Sequence, residues 1–531
     1  MTGDVQHTDV LILGAGSAGC VLANRLSADP HRTVRLLEAG GYDRWHWIHI
    51  PIGYLYTMGN PKTDWCYHTT PQPRLHHRSL PYPRGRVLGG SSSINGMIYM
   101  RGQRQDYDNW GLPEWSWDAV LPYFRRSEHY HRGADEAHGG DGPLRVESQR
   151  LHWPILDAFK AACEAMGFQD QPDFNRGENA GVGYFEVNQN KGRRLSSAGA
   201  FLHPIRHRSN LTLDTGCVID RLELAGHQII AVQGHRHGRP MRWTADRIVL
   251  ATGAVATPVI LERSGIGDPA QLALSQCPVH HPLPGVGQNL QDHLQLRMAY
   301  RLARGETLNQ RANRWQDRLA MALEYGLKRS GPLSMAPSQL GAFFCSSPAT
   351  ERPDLEFHIQ PLSAERLGTK LHPWPGITAS VCHLRPHSRG SVHAVSTNPA
   401  DSPRIDPNYL ADPTDQSIAV AAMRQTRALM EHPLLAEFGP EEWKPGRQVD
   451  SDAEFLNAAG QIASTIFHPV GTAKMGVASD PTAVVSPRLQ VHGLDNLWVG
   501  DASVFPTIPS GNTHAPTVMI AERLADWLLA D

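Results

Sequence analysis

Proton transfer at neutral pH suits imidazole, and the chain carries 28 histidines from which to choose. Two stand out by their neighbours. His468 lies in Phe467-His468-Pro469-Val470-Gly471-Thr472, where Pro469 fixes the local backbone and Gly471 permits a turn. His514 lies in Ser510-Gly511-Asn512-Thr513-His514-Ala515-Pro516-Thr517. An imidazole held this way can act as a general base: once it takes a hydroxyl proton, the oxygen can push out a hydride toward an acceptor. Metal chemistry is the competing use of so many histidines. The doublets His76-His77 and His280-His281 are adjacent pairs, which rarely share one ion, and neither HExxH nor a Cys/His ligand spacing occurs. No metal is expected.

The elements that must position these histidines are those of an ordinary large globular chain. Its 531 residues exceed one core, so two intertwined domains are expected. Net charge is −2 and the isoelectric point near 7.0, without the basic stripe that nucleic-acid binding requires. Cys20, Cys66, Cys163, Cys217, Cys277, Cys345 and Cys382 are dispersed and read as reduced thiols. No apolar run reaches the roughly 18 residues of a membrane span, and a cytoplasmic location is the expectation.

Near the N-terminus, a strand over Thr8–Leu13 runs into Gly14-Ala15-Gly16-Ser17-Ala18-Gly19 and an apolar helix over Cys20–Leu26. A second strand, Thr33–Leu37, ends at Glu38. This is the dinucleotide fingerprint in its required context. Gly14 permits the tight turn, Gly16 admits a pyrophosphate, and Gly19 lets helix and strand pack. The helix N-terminus offers free N–H groups to the phosphates, and Glu38 is placed for the ribose hydroxyls. The fingerprint does not choose between NAD and FAD.

Three further segments bear on that choice. Gly85-Arg86-Val87-Leu88-Gly89-Gly90-Ser91-Ser92-Ser93-Ile94-Asn95-Gly96-Met97 has too little bulk for a core and suits backbone passing close to a flat ligand. The strand Arg247–Ala251 feeds a second strand–turn–helix through Gly253-Ala254-Val255-Ala256-Thr257-Pro258. Leu497-Trp498-Val499-Gly500-Asp501 reads as a strand ending in Gly-Asp. With the His468 and His514 segments, these resemble the glucose–methanol–choline (GMC) oxidoreductase family along nearly the whole chain. The pattern is most similar to its choline-dehydrogenase-like and sorbose-dehydrogenase-like branch.

The resemblance implies an α/β fold: a doubly wound Rossmann-like FAD-binding domain with a mixed-sheet α+β substrate-binding domain. It divides the chain into FAD-domain segments 5–155, 210–295 and 461–530, an insertion over 156–209, and a substrate domain over 296–460. Gly14, Gly16, Ser17, Ala18 and Gly19 would cradle the pyrophosphate, and Glu38 would bind the ribose. Arg86, Leu88, Gly90, Ser91, Asn95 and Met97 would line the pyrophosphate, ribityl chain and isoalloxazine. Val218 would meet the adenine, Asp501 and Ala502 the ribityl and pyrophosphate, and Thr513 the isoalloxazine. Trp65 packs near the cofactor or in the core. His468 matches the family's first active-site histidine, implying the base, and His514 its hydrogen-bonding partner, with the reverse assignment open. Some relatives attach flavin covalently through a histidine where this chain has Ile94, so FAD is expected to be non-covalent.

The implied reaction is oxidation of a primary or secondary alcohol to an aldehyde or ketone, with oxygen, a quinone or a dye as electron acceptor. Choline-oxidising relatives carry a glutamate matched here to Gln339, and a neutral amide loses the ion pair with a cation. A neutral alcohol is therefore expected. Gly326–Pro337, with its Gly-Pro and Ala-Pro breaks, reads as a loop resembling the family's access lid. The alternatives are a GMC-type oxidase and a hydroxynitrile-lyase-like enzyme in which FAD is redox-silent.

Overall fold

The computed structural model describes residues 6–365 and 369–530. Two sheets organise them. In chain order the strands are β1 (Gln6–Leu13), β2 (Val34–Glu38), β3 (Gly181–Tyr184), β4 (Leu211–Thr215), β5 (Cys217–Ala225), β6 (Gln228–Arg236) and β7 (Arg239–Leu250). There follow β8 (Leu294–Leu302), β9 (Leu340–Phe344), β10 (Leu355–Gln360), β11 (Gly376–His383), β12 (Pro440–Lys444), β13 (Ala463–Thr465) and β14 (Leu497–Val499). The helices that matter here are α1 (Ser17–Leu26), α2 (Gly253–Arg263), α3 (Pro413–Met430) and α4 (His514–Ala530).

The first sheet has the order β4-β2-β1-β7-β6-β5, with β14 also against β7. Its β4, β2, β1, β14 and the end of β7 are parallel, and β5–β6–β7 form an antiparallel meander. Parallel strands are covered on both faces, which is why Val10–Leu13 and Ile248–Leu250 are unbroken apolar runs, at most 1% exposed. Gly14 leaves β1 with φ +99°, and a Cβ on Gly19 would stand 1.8 Å from the Gly14 carbonyl oxygen. Only glycines allow α1 to start so close to the strand it follows.

The second sheet runs β12-β8-β11-β10-β9-β3, with β13 against the start of β8. Its pairings are antiparallel throughout, rather than mixed as expected. An antiparallel sheet can bury one apolar face and turn a polar one elsewhere, and this sheet does so. Leu296, Met298, Leu355, Phe357, Ile359, Ile377, Ala379 and Val381 pack in one core with Ala419 and Met423 of α3. The alternate positions are Gln295 and Arg297 on β8, Glu356, His358 and Gln360 on β10, and Ser380 and Cys382 on β11. Most of this polar face is buried too. Such a face needs polar company.

The segment expected as a loop from Gly326 begins inside a helix, Trp315–Lys328, and loosens only beyond it. Gly331 has φ +76° and precedes a short turn, Pro332–Ser334. A glycine inside a helix costs only about 1 kcal/mol, so Gly326 does not end it. Among the described residues, no helix is long and apolar enough to cross a membrane.

Candidate active site

A cavity of about 300 Å³ lies between the carboxyl ends of the parallel strands and the polar face of the second sheet. Ligands of doubly wound folds bind at such strand ends. The first sheet contributes Gly14, Gly16, Ser17 and Ala18 after β1, Glu38 at the end of β2, Val218 from β5, Thr252 and Gly253 after β7, and Asp501 and Ala502 after β14. Gly90, with φ +54°, faces Gly16 so closely that a Cβ on it would stand 2.7 Å from the Gly16 Cα. A Cβ on Gly16 would meet no protein atom nearer than 3.9 Å, so the backbone is open there toward the cavity.

Two buried carboxylates hold this end together. Glu38 accepts N–H bonds from Ala15 (3.0 Å) and Gly40 (2.7 Å). Burial outweighs those bonds and pushes its carboxyl up to about 7. Asp501 accepts from the Gly253 N–H (2.7 Å), the Thr257 hydroxyl (2.8 Å) and the Ser503 N–H (2.8 Å), tying β14 to the start of α2. Burial raises its carboxyl as well.

At the far end His468 is buried in a chain of defined donors and acceptors. His293 Nε2 lies 2.9 Å from the Leu384 carbonyl oxygen, which can only accept, so that nitrogen carries the proton. His293 Nδ1 is then an acceptor, and His468 Nδ1, 3.0 Å away, is its donor. This leaves His468 Nε2 with a lone pair, 3.0 Å from the Asn512 Nδ2 donor. The His468 backbone N–H donates to Asp292 Oδ1 (2.8 Å), and Asp292 Oδ2 accepts from the hydroxyls of Thr465 and Tyr409. Burial, then the neighbouring His293, His358 and Arg84, holds the His468 imidazole well below its ordinary pKa. It is a neutral base at neutral pH.

His514 lines the same cavity but points into a different net. Its Nδ1 donates to Asn188 Oδ1 (3.2 Å) and its Nε2 accepts from the Ser197 hydroxyl (3.0 Å). Burial, then Arg194, lowers it to about 4. The side chain that meets His468 is Asn512, whose Oδ1 is buried without a partner among the described residues.

The cavity gathers Gly14, Gly16, Ser17, Ala18, Glu38, Gly90, Ser91, Asn95, Met97, Val218, His468, Asp501, Ala502, Thr513 and His514, together with Trp65 and Ile94. Four residues singled out in the sequence stand off it. Gly19 serves helix packing, Leu88 belongs to the main core, and Arg86 stacks 4.8 Å over the Trp65 ring. Gln339 is fully buried, with its side-chain amide turned back onto the Ala336 carbonyl. The glutamines that do line the cavity are Gln295 and Gln360.

Sequence reasoning missed Asp292, His293 and Asn512. The signal for the first two was the polar run Asn289-Leu290-Gln291-Asp292-His293 set directly before an apolar strand. Nor did any ligand spacing announce Glu356, His358 and Cys382, whose donor atoms lie within 4.8 Å of one another on the polar face. Glu356 stands 3.1 Å from His358; burial holds the His293 imidazole below its ordinary pKa, with Glu356 and Asp292 acting against it.

Two family profiles described as GMC oxidoreductase match residues 8–295 and 386–521. The chain belongs to the GMC oxidoreductase family. It is 40% identical over 98% of its length to the alcohol dehydrogenase [acceptor] of Pseudomonas putida, covering 95% of that protein. It is 38% identical over 99% of its length to the mitochondrial choline dehydrogenase of Mus musculus, covering 89% of that protein. Among solved structures, pyridoxine 4-oxidase from Mesorbium loti aligns with TM-score 0.89 and 31% identity, covering 99% of both chains. A formate oxidase variant of Aspergillus oryzae aligns with TM-score 0.91 and 27% identity, covering 100% of this chain and 99% of that one. The fold is accordingly the Rossmann-like α/β FAD domain with a substrate domain, and the chain is an FAD-dependent oxidoreductase acting on CH–OH donors.

Proposed function

We propose that this enzyme oxidises a primary or secondary alcohol that carries no positive charge, with His468 as the base. The observation behind this reading is the unprotonated His468 Nε2 at the cavity wall, its tautomer set by His293 and Leu384. The residues present suit FAD: the open backbone at Gly16, the tight Gly16–Gly90 approach and the buried Glu38 form a phosphate and ribose cradle. In this reading Gly14, Gly16, Ser17 and Ala18 hold the pyrophosphate, Glu38 the ribose and Val218 the adenine. Gly90, Ser91, Asn95, Met97, Asp501, Ala502 and Thr513 lie along the ribityl chain and ring. FAD held there would supply the two-electron oxidant for the alcohol.

The protein's own part is proton handling and orientation. His468 Nε2 takes the hydroxyl proton as the carbon loses hydride. The His468 Nδ1–H donates to His293, which steadies the positive charge that forms on the imidazole; burial keeps His293 itself below its ordinary pKa, with Glu356 and Asp292 acting against that burial. Asn512 holds the Nε2 side of the ring and offers its free Oδ1. His514, locked by Ser197 and Asn188, forms a neutral polar wall and reaches the substrate oxygen only by leaving those bonds. FAD is held without a covalent bond, since Ile94 offers no nucleophile in the Gly-Gly-Ser-Ser segment. We assign the enzyme as a dehydrogenase, as the relative named alcohol dehydrogenase [acceptor] suggests.

The test is anaerobic mixing with a panel of aliphatic, aromatic and polyol alcohols. Bleaching of the flavin band is expected. A flavin that no alcohol bleaches would point to the lyase-like alternative. Admitting air then separates the acceptor classes, with slow reoxidation expected of a dehydrogenase. Acid precipitation should release all yellow colour to the supernatant, and flavin left in the pellet would refute non-covalent binding.

A further inference from the structure

Among the described residues, Arg297 is a cavity-lining cation on the polar face of the second sheet that forms no ion pair. Arg297 is on β8, two residues beyond Gln295, and both face the cavity. One guanidinium N–H donates to Gln360 Oε1 at 3.3 Å. Among the described residues, no carboxylate stands at ion-pair distance. The neighbouring carboxylate on this face, Glu356, is engaged with His358 instead and does not line the cavity. The phosphate cradle belongs to the other sheet, at the start of α1. Arg297 instead stands beside Gln360 and Ser338, on the substrate side.

An uncompensated guanidinium inside a cavity is costly. Burial pushes Arg297 down to about 10, with only the Tyr54 hydroxyl acting against it. Such a site gains most from a ligand that brings the missing negative charge. Arginine's planar fork pairs two parallel N–H bonds with a carboxylate. Spacing adds a second constraint. Arg297 lies four residues beyond His293, which directly precedes β8, so their backbones stand at most roughly 13 Å apart at about 3.3 Å per residue.

Resting on the alcohol-oxidising function assigned to this site, we propose that Arg297 is an anion-binding residue and that the substrate is a hydroxy acid whose carboxylate is separated from the reacting hydroxyl by a chain of several atoms. The neutral substrate expected from the sequence is thereby replaced by an anionic one, and exclusion of cationic alcohols is strengthened. The product is the corresponding aldehyde acid, so the reaction that consumes it acts on an aldehyde bearing a distal carboxylate.

The experiment compares ω-hydroxyoctanoate, its methyl ester and the matching ω-amino alcohol as reductants of the holoenzyme flavin under anaerobic conditions. The acid should half-saturate the rate at a concentration about 10-fold or more below that of the ester, and the amine should be weakest. Arg297→Gln should collapse the acid-to-ester ratio toward one, and Arg297→Lys should keep part of it. Octanoate, which has no hydroxyl, gives a readout independent of turnover. It should perturb the flavin spectrum of the native enzyme in a salt-sensitive titration, and this should be lost in Arg297→Gln. Equal use of acid and ester by the native enzyme, or a preference that survives Arg297→Gln, overturns the proposal. If none of the alcohols reduces the flavin, alcohol oxidation itself falls, and octanoate binding lost with Arg297→Gln still upholds the anion site. Octanoate binding that Arg297→Gln leaves intact overturns it.

Discussion

Replacing His293 by Ala should slow flavin reduction by about one to two orders of magnitude while leaving FAD bound. His293 does not need to touch substrate for this; it acts through His468. In the native protein its Nδ1 is the acceptor for the His468 Nδ1–H, 3.0 Å away in a buried setting. Removing it leaves a buried N–H unsatisfied, at about 1–3 kcal/mol, and takes away a bond to an imidazole that becomes charged, worth about 1.5–3 kcal/mol. At 1.36 kcal/mol per decade, the second term corresponds to roughly 10–150-fold in rate. The assay is anaerobic stopped-flow absorbance at saturating alcohol, on enzyme whose flavin content matches the native protein. His293→Asn is the discriminating partner, because its amide can donate to Leu384 and accept from His468, and it should recover much of the loss. His468→Ala and the double variant His293→Ala/His468→Ala should reduce at nearly the same rate, since the His293 contribution passes through His468. Native reduction rates in His293→Ala, or losses that simply multiply in the double variant, would refute the relay.

His468→Ala alone should lower the reduction rate about 10²–10⁴-fold with FAD retained, measured in the same assay. The depressed pKa of His468 keeps its imidazole neutral through the neutral range, so the native rate should be flat there. It should fall only on the acid side of about 6.5, the ordinary histidine value, as a pH profile of flavin reduction will show. Glu38→Ala removes the acceptor for two backbone N–H groups and, on the proposed reading, the carboxylate that would meet the ribose. The dissociation constant for FAD should rise at least about 10-fold, read by fluorescence on dilution. His138 lies between Glu128 and Asp173 at 2.9 Å from each; burial opposes its charge, but the two carboxylates prevail and raise it to about 9. Because its folded pKa exceeds the unfolded one, its stabilisation is complete below about 6.5 and is lost as pH rises through about 9. Thermal melts should show that decline, and His138→Gln should flatten it.

The cofactor half of the site is legible in the sequence because it is local. Gly14 to Gly19 and Glu38 belong to one strand–turn–helix–strand unit, so spacing along the chain is already spacing in the fold. The substrate half is not local. His293 and His468 are 175 positions apart, and nothing in either segment alone announces the contact. The division between Gln339 and Gln295 shows why residue type is insufficient there. Both are glutamines beside a strand start and at positions of the same parity. The turn ahead of β9 pulls the Gln339 amide onto Ala336, and Pro337 and Ser338 take its place at the wall. The expectation of a mixed second sheet fails for a related reason. Strand direction depends on how connections return, which residue patterns do not encode.

What the two halves share is a rule about where polar groups can be buried. The parallel sheet presents polarity only at its strand ends, so it can hold a long ligand by its backbone and two carboxylates. The antiparallel sheet presents polarity along one face, at Gln295 and Arg297 of β8, Glu356, His358 and Gln360 of β10, and Thr378 and Ser380 of β11. A one-residue register slip would exchange Arg297, His358 and Ser380 for the apolar set that packs on α3. The apolar core therefore fixes which side chains the substrate meets. Specificity can change by substitution at the alternate positions without disturbing the core, and Arg297 is a cavity-lining position of this kind whose charge no ion pair compensates among the described residues.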